Sequence, residues 1–434
     1  MASQTNPPVA ESSLIEHRRW LVLGCAMLAW LCCGIIMAIP PLSSRSAVAS
    51  MGVTDEALRG LWFSRYVCAF LLGAAAGGVS FGWLGDHIGR SKALALSVLT
   101  FSLLAGLCYF VTTPAQMLVL WFFACTGVGG VWPNGISLAS EAFPNVSRPW
   151  MAGLFGATAN IGFMLISLLV LLRPVTPEDW RWVMLLGASP ALLGFIILFM
   201  VPESPVWLAS RAQREQRPSL KAEVFKPPIL RYTIIGILLG AVPLMGNWGG
   251  SNWLVPWAGK VQEETLQAGL KAWTQWMKSG GGAVGSLLGG WLANLYGRRI
   301  SYFFISLAAL GSASYIYHFL KPGDDSFLFW VFVQGFFGTI YFGWLPLYLP
   351  ELFPTRIRAT GTGVTFNWGR ILTAFGVLYT GQLLVMFGGD YARVGQWTCL
   401  VYVFGMIVIC FAPDTHGLQL ETSSEPPPES ENNS

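Results

Sequence analysis

Three basic residues lie inside long apolar stretches of the sequence. Arg65, Lys278 and Arg370 are each flanked by hydrophobic runs, and none of the 22 acidic residues falls in the middle of such a run. A charged side chain in an apolar environment costs a few kcal/mol or more, so it usually faces a partner or an aqueous cavity. A guanidinium can bind both oxygens of a carboxylate at once. We therefore interpret the three residues as candidates for a functional site.

Arg370 lies closest to the middle of its apolar stretch. Arg358 comes just before that stretch, and Arg370 comes 12 residues later. If the intervening residues are helical, the two lie roughly 18 Å apart along the helix axis. Arg65 and Lys278 lie nearer the far ends of their stretches, where a long basic side chain can extend to a polar interface. The spacing therefore favours Arg370 as the residue that faces a cavity or an anion, and favours an interfacial position for the other two.

Other polar and aromatic residues at similar depth could line the same cavity. Asn367 precedes Arg370 by almost one helical turn and so shares its face. Buried tryptophans often only pack in a core, so each of these residues also has a structural interpretation. The predicted substrate-binding set is Trp30, Asn160, Asn247, Trp248, Gln334, Tyr341, Asn367 and Arg370.

The composition is that of a protein that lies mostly in lipid. The 434 residues are 54% hydrophobic and 11% charged, with a mean hydropathy of +0.55. Soluble domains carry about 25% charged residues. A net charge of +4 is too small to indicate a nucleic-acid partner. The eight cysteines all lie in apolar runs without metal-ligand spacing and indicate small core residues.

Twelve stretches are long enough to cross a hydrocarbon core of about 30 Å as helices, which lipid requires because exposed irregular backbone is too costly there. The loops on the same side of the membrane as the two termini carry more basic residues than the loops on the other side. This bias predicts that both termini are cytoplasmic. The predicted spans are 19–39, 59–84, 92–111, 116–142, 151–172, 180–201, 232–256, 269–295, 300–319, 327–350, 360–387 and 392–412.

Two motifs occur twice in the same order, about 210 residues apart, which indicates a duplicated unit of half the chain. GWLGDHIGR at 82–90 corresponds to GWLANLYGR at 290–298, and EAFP at 141–144 corresponds to ELFP at 351–354. We predict a leader at 1–17 that is disordered, a first six-helix bundle at 18–202, a cytoplasmic linker at 203–230, a second bundle at 231–412 and a tail at 413–434.

Charged residues gather at the predicted cytoplasmic ends of the spans. Opposite charges there could form networks that hold these ends together in one conformation and release them in another, or could simply anchor the helices at the interface. The second repeat has Asn294 where the first has Asp86, so its network carries less charge. The predicted gating set is Asp86, Arg90, Glu141, Arg148, Glu203, Arg298, Glu351, Arg358 and Asp414.

These motifs resemble those of the major facilitator superfamily. The hairpin at 82–90 resembles its loop signature. PESPVWL at 202–208, ELFPTRIRATGTG at 351–363 and PDTHGLQLE at 413–421 resemble its sugar-porter, organic-ion and aromatic-acid branch. The resemblance implies an all-α membrane protein with 12 transmembrane helices in two pseudo-symmetric bundles. It also implies that Arg370, at its distance after the Arg358–Gly363 turn, stands where transporters of organic anions carry an arginine.

The leading hypothesis is a transporter that moves a small organic anion by alternating access, without a cofactor or bound metal. A sugar or polyol porter of the same fold is the alternative, and a non-transporting receptor or sensor is an alternative of another class. Proton-coupled sugar porters commonly carry an acid on the first span, which this sequence lacks between Gly24 and Ile39. The resemblance is therefore more consistent with facilitated diffusion or anion exchange.

We do not expect the protein to be an enzyme, since no catalytic triad, metal-ligand or phosphate-loop pattern stands out in the sequence. We expect a multi-pass protein of a bacterial inner membrane, because the short first outer loop resembles that of bacterial family members. Its expected partners are the lipid bilayer and a small-molecule substrate, and we expect it to function as a monomer.

Overall fold

The computed structural model describes residues 9–143, 146, 148–204, 207–208, 220–354 and 357–415. Within these ranges the chain is helical, with short turns and no strand. Helices follow from the composition, because a helix satisfies its backbone hydrogen bonds internally and can therefore lie in lipid.

Twelve helical stretches, α1 to α12, follow one another in the described ranges. The chain therefore enters and leaves at the same end, which we call the terminus end, and the other end is called the opposite end. The stretches are Val9–Ser50, Glu56–Ile88, Arg90–Leu107, Pro114–Ala142, Arg148–Leu172, Trp182–Met200, Ile229–Thr265, Leu270–Tyr296, Arg298–Phe319, Phe327–Glu351, Arg358–Met386 and Tyr391–Phe411.

Eleven of these stretches are long and apolar enough to cross a membrane, counted over the described residues. The twelfth is α8, whose 27 residues span about 40 Å. Its sequence carries several polar residues and glycines, and it packs closely against α5 and α10. A helix shielded by its neighbours does not need to be apolar all round, because little of its surface meets lipid.

The two halves of the chain, α1–α6 and α7–α12, are related by pseudo-symmetry. Inside the first half α2 and α3 pack on α4, and inside the second half α8 packs on α10. The halves meet along two equivalent seams, α2 against α11 and α5 against α8. The second helix of each half therefore contacts the fifth helix of the other, which agrees with the duplication predicted from the repeated motifs.

Helix α1 is longer than the predicted first span of 19–39 at both ends. It begins at Val9, so residues 9–17 are helical although a disordered leader was expected at 1–17. It also continues through Pro40 and Pro41 to Ser50. Each proline removes one N–H from the helix, but residues 42–48 are buried, and their packing stabilises this last part. The extension places Arg45 on a helix inside the protein.

Helix α7 is irregular in its middle. An α-helical first part ends at Leu244, a π-helical segment covers Met245–Gly250, and a short 3₁₀ segment leads into the α-helical part Leu254–Thr265. Interruptions of this kind inside helices often occur at functional sites. Of the predicted linker, residues 205–206 and 209–219 lie outside the described ranges, and Leu220–Phe225 forms a short 3₁₀ helix before α7. The tail is described only to Thr415.

Candidate functional site

A cavity of about 950 Å³ lies between the two halves. Its walls come from α1, α2, α4 and α5 of the first half and from α7, α8, α10 and α11 of the second. It reaches Arg90 and Glu141 at the terminus end, and it extends to Asn252, Gln275 and Lys278 toward the opposite end. A cavity bounded by both halves changes shape when the halves move relative to each other.

Arg370 projects into this cavity from α11. Its Nη1 donates to the carbonyl oxygen of Ala74 at 3.2 Å and lies 3.4 Å from Oδ1 of Asn367. Its Cζ lies 4.8 Å from the ring centroid of Phe366. The described residues include no carboxylate that pairs with Arg370, so its charge is held by neutral groups. Ala74 belongs to α2, so this one hydrogen bond crosses between the halves.

Gly78 gives Arg370 and Asn367 their space on the wall of α2. A methyl group added at Gly78 would lie 3.0 Å from Oδ1 of Asn367 and 3.6 Å from Nη1 of Arg370. The 3.0 Å contact would require the Asn367 side chain to give way, because few real Cβ atoms approach so closely, whereas 3.6 Å is an ordinary van der Waals distance. The glycine therefore leaves room for the Asn367 amide beside the guanidinium.

Lys278 is a second cationic group on the cavity wall. Its Nζ donates to Oδ1 of Asn252 at 2.8 Å, and it makes no ion pair with any described carboxylate. Gln275 donates through Nε2 to the hydroxyl of Ser279 at 2.8 Å. Nδ2 of Asn252 and Oε1 of Gln275 are buried and have no hydrogen-bond partner among the described residues. This part of the wall thus offers a cation, an unused donor and an unused acceptor.

The cavity walls also carry aromatic rings. Trp30 and Trp132 meet edge to face with ring centroids 4.9 Å apart on the side of the first half. Phe70 of α2 and Trp248 of α7 approach to 4.5 Å across the two halves. Such rings provide flat apolar surfaces that suit a flat organic molecule.

Six of the eight predicted substrate-binding residues line the cavity. They are Trp30, Asn160, Asn247, Trp248, Asn367 and Arg370. Asn247 belongs to the π-helical segment of α7, and its Nδ2 donates to the carbonyl oxygen of Gly338 at 2.7 Å. Depth in the predicted helices therefore places these six residues at the cavity, and their role in substrate binding stays a prediction.

Gln334 and Tyr341 lie away from the cavity, inside the second half. The hydroxyl of Tyr341 donates to Oγ of Ser306 at 2.8 Å, and Nε2 of Gln334 donates to the hydroxyl of Tyr402 at 3.2 Å. Both are almost fully buried between α10, α9 and α12. They lie at the same depth as the site but on the face of α10 that is turned away from the cavity. Depth alone cannot show which face of an almost wholly apolar helix a residue lies on.

At the terminus end of the first half, four predicted gating residues have clear positions. Arg90 pairs with Glu141, which also accepts from the hydroxyl of Ser204. Glu203 accepts the backbone N–H of Arg90 at 2.8 Å and so caps α3. The carbonyl oxygen of Asp86 accepts from the indole N–H of Trp207. The side chain of Arg148, which begins α5, lies outside the described residues.

The second half repeats this arrangement. Arg298 binds Glu351 through two hydrogen bonds of 3.1 and 2.7 Å, and Thr415 donates to the same carboxylate at 2.5 Å. Arg358 begins α11, and Asp414 lies between α12 and Thr415. The Arg90–Glu141 and Arg298–Glu351 pairs each stay within one half, so in this conformation neither of them joins the two bundles.

The sequence interpretation missed two features of this region. Lys278 was expected at the outer interface, whereas it binds Asn252 on the cavity wall. Arg45 falls between the predicted spans 19–39 and 59–84, in what would be an outer loop, whereas it lies on α1 and binds Glu56 and Glu263. The shared polarity of Asn252, Gln275 and Lys278 was visible in the sequence, but their meeting depends on the crossing of α7 and α8.

The comparisons with known proteins agree with this architecture. Residues 34–226 match a family model described as sugar (and other) transporter. The chain is 30% identical to a cis,cis-muconate transport protein of Acinetobacter baylyi over 69% of this chain and 73% of that protein. It is 28% identical to a putative niacin/nicotinamide transporter of Bacillus subtilis over 72% of this chain and 76% of that protein. Its fold matches an E. coli xylose transporter in a partially occluded inward-open conformation, with a TM-score of 0.69, 17% identity and coverage of 92% and 99%.

Proposed function

The chain belongs to the major facilitator superfamily of membrane transporters, and we propose that it carries a small organic anion, a carboxylate or an aromatic acid, across the membrane. Transport would follow alternating access, in which the two halves rock about a substrate held near the middle of the membrane. We further propose that it works as a monomer in a bacterial inner membrane, with both termini in the cytoplasm. One relative is an inner membrane metabolite transport protein of E. coli.

The observation that carries this proposal is the charge of the cavity. Arg370 and Lys278 both line it, and among the described residues both are held by neutral groups alone. Two cations kept in an apolar environment without a carboxylate are costly unless an anion enters. A substrate anion supplies the missing charge, and a guanidinium can bind both oxygens of a carboxylate.

The names of the relatives support the same class of substrate. They include transporters named for cis,cis-muconate, niacin and benzoate, and a probable transporter of 4-methylmuconolactone. Three of these names denote flat organic acids or their anions. The aromatic pairs Trp30–Trp132 and Phe70–Trp248 suit molecules of that shape.

The contacts of Arg370 suggest how binding could drive the motion. Its bond to the carbonyl oxygen of Ala74 joins α11 to α2, across one of the two seams between the halves. An anion that takes up the guanidinium donors replaces this neutral contact with a charge-assisted one. The seam then loses a bond when substrate binds, which favours relative movement of the halves.

A neutral sugar or polyol is the second candidate. The amide side chains of Asn160, Asn247, Asn252 and Gln275 all line the cavity and could bind hydroxyl groups. The family model includes sugar transporters, and the matched fold is that of a xylose transporter. This candidate leaves the charges of Arg370 and Lys278 without a counterion, so we rank it second.

Thermal unfolding of the purified protein with carboxylates, sulfonates, sugars and polyols tests the substrate class. A ligand at about 100 times its dissociation constant stabilises the folded state by roughly 2.7 kcal/mol. We expect anions to raise the midpoint and Arg370→Ala to abolish that effect. Arg65→Ala is the matched control, since Arg65 also lies in a span but stacks on Trp62 at 4.5 Å, outside the cavity lining.

Uptake of the stabilising compound into proteoliposomes separates a transporter from a receptor. Flux that depends on Arg370 supports the proposal, whereas binding without flux supports the receptor alternative. Stabilisation by sugars alone, equal in the wild type and in Arg370→Ala, would contradict the anion hypothesis.

A further inference from the structure

At the opposite end, one arginine binds carboxylates from both halves. Arg45 on α1 donates to Glu56 of α2 through Nε at 2.9 Å and Nη2 at 2.7 Å. The same guanidinium donates to Glu263 of α7 through Nη1 at 3.0 Å and Nη2 at 3.1 Å. Arg45 is only 5% exposed. Glu56 belongs to the same half as Arg45 and Glu263 to the other, so the arginine joins the two bundles.

A second contact in this group also crosses between the halves. The hydroxyl of Tyr391, at the start of α12, donates to Oε1 of Glu56 at 2.6 Å. Arg59 lies 3.9 Å from Glu56 and 4.0 Å from Glu263, and Lys271 of α8 is buried close by, against Gly259. We call Arg45, Glu56, Glu263 and Tyr391 the Arg45 cluster.

An uncharged layer lies beneath the cluster and also joins the halves. Phe63 of α2 meets Trp253 of α7 edge to face, with ring centroids 4.9 Å apart. The indole N–H of Trp253 donates to the hydroxyl of Thr380 at 3.3 Å. Ser64 packs so tightly against Gly381 of α11 that a side chain at position 381 would overlap its hydroxyl. The cluster thus covers a buried seam that lies between the cavity and the opposite end.

We propose that the Arg45 cluster is a latch that holds the opposite end closed and must break before substrate can pass there. The latch goes beyond the proposed substrate and applies equally to a carrier of anions or of sugars. It also explains the shape of the cavity, which reaches the charged residues of the terminus end and stops below the cluster at the other.

The energetics of the cluster suit a reversible latch. In the closed state the charges are partly or largely buried and must satisfy one another, so removal of one partner leaves an uncompensated charge. When the halves separate, water solvates each group and offsets much of the lost pairing. Loss of a carboxylate therefore penalises the closed state more than the open state.

Distances between spin labels at both ends of the full-length protein in nanodiscs test the latch. One pair, Thr54→Cys with Leu266→Cys, sits on exposed loops of the two halves at the opposite end. The other pair, Ile88→Cys with Tyr296→Cys, sits at the terminus end. The exposed native thiol is removed from both by Cys410→Ser.

We expect Glu56→Gln and Glu263→Gln to lengthen the distances at the opposite end and to shorten those at the terminus end. The ratio of closed to open molecules should fall roughly tenfold or more in Glu56→Gln. Glu263→Gln should have the smaller effect, because the Glu263 side chain is 54% exposed and that of Glu56 only 22%. Because Glu263 is the more exposed of the two, Glu263→Gln disturbs the folded protein less and is the second variant that tests the latch.

The matched control is Asp179→Asn. Asp179 binds Arg173 at 2.9 Å at the same end, but both residues lie in one half and are largely exposed. This variant should leave both distance distributions unchanged. Opposite-end distances that stay short in both glutamine variants would overturn the latch. Loosening of both ends together would also overturn it, since that result indicates a general loss of packing.

Discussion

Arg370 and Lys278 bring positive charge to the same cavity through different chemistry. The guanidinium of Arg370 is planar and presents parallel donors, whereas the ammonium of Lys278 is a compact charge already bonded to Asn252. A carboxylate can therefore be oriented at Arg370 and only attracted at Lys278. Two substitutions separate these roles.

Arg370→Lys keeps the charge but removes the planar pair of donors. We expect the affinity for a monocarboxylate to fall about 10- to 100-fold, in line with the loss of one charge-assisted hydrogen bond. Competition against uptake of a labelled acid in proteoliposomes measures this change. An unchanged affinity would mean that only the charge of Arg370 matters, and Arg65→Lys controls for a general effect of such a change in a span.

Lys278→Gln removes the second charge and keeps a polar group beside Asn252. Compounds with two anionic groups should lose more affinity than compounds with one, because only they can occupy both cationic positions. Dissociation constants for a matched series of mono- and dicarboxylates test this expectation. Equal losses across the series would place Lys278 outside direct contact with the substrate.

Single glycines along α8 allow this helix to approach its neighbours closely. At Gly285 an added Cβ would overlap the carbonyl oxygen of Phe336 on α10. Small residues at such contacts let two backbones approach closely inside a membrane. This contact lies within the second half, so Gly285 permits close packing of α8 on α10 inside one bundle.

Gly285→Val should lower the free energy of unfolding by about 1 to 3 kcal/mol, the usual cost of overpacking. The thermal midpoint measured without ligand reports the change. Gly311→Val on α9 is the matched control, because nothing lies within 4 Å of a Cβ added there. Similar losses in both variants would attribute the effect to valine in a helix and not to the α8–α10 contact.

At the scale of the whole molecule, the two halves meet at the opposite end, whereas the cavity between them reaches the terminus end. If alternating access operates, a bond across the seam below the Arg45 cluster should trap this conformation. Ser64 and Gly381 face each other across this seam. A Cβ at 381 would lie 2.7 Å from that of Ser64, about 1 Å closer than in a disulfide, so α2 and α11 must separate slightly for the bond to form.

Oxidation of the double variant Ser64→Cys and Gly381→Cys should therefore stop transport, and reduction should restore it. Ligand-induced thermal stabilisation should persist in the oxidised protein, because the cavity is still reached from the terminus end. Transport that continues after quantitative cross-linking would show that this seam does not open. Ser64→Cys alone controls for the effect of oxidant on the native thiols.

The sequence by itself determined the class of the protein. Its long apolar runs require helices in lipid, and the repeated motifs at 82–90 and 290–298 indicate two related halves. It also placed Arg370 at mid-depth, because depth in a helix follows directly from residue number. Six of the predicted lining residues reach the cavity for the same reason.

Only the tertiary structure decided which helix faces meet. Tyr341 and Arg370 were both predicted for the site by depth, yet one packs into its own half and the other lines the cavity. An apolar helix shows little contrast between its faces, so its rotation depends on neighbours that are distant in sequence. Arg45 meets Glu263 across 218 residues of chain for the same reason. Composition and spacing determined the spans and their depth, whereas packing between spans determined the cavity walls and the contacts that close the opposite end.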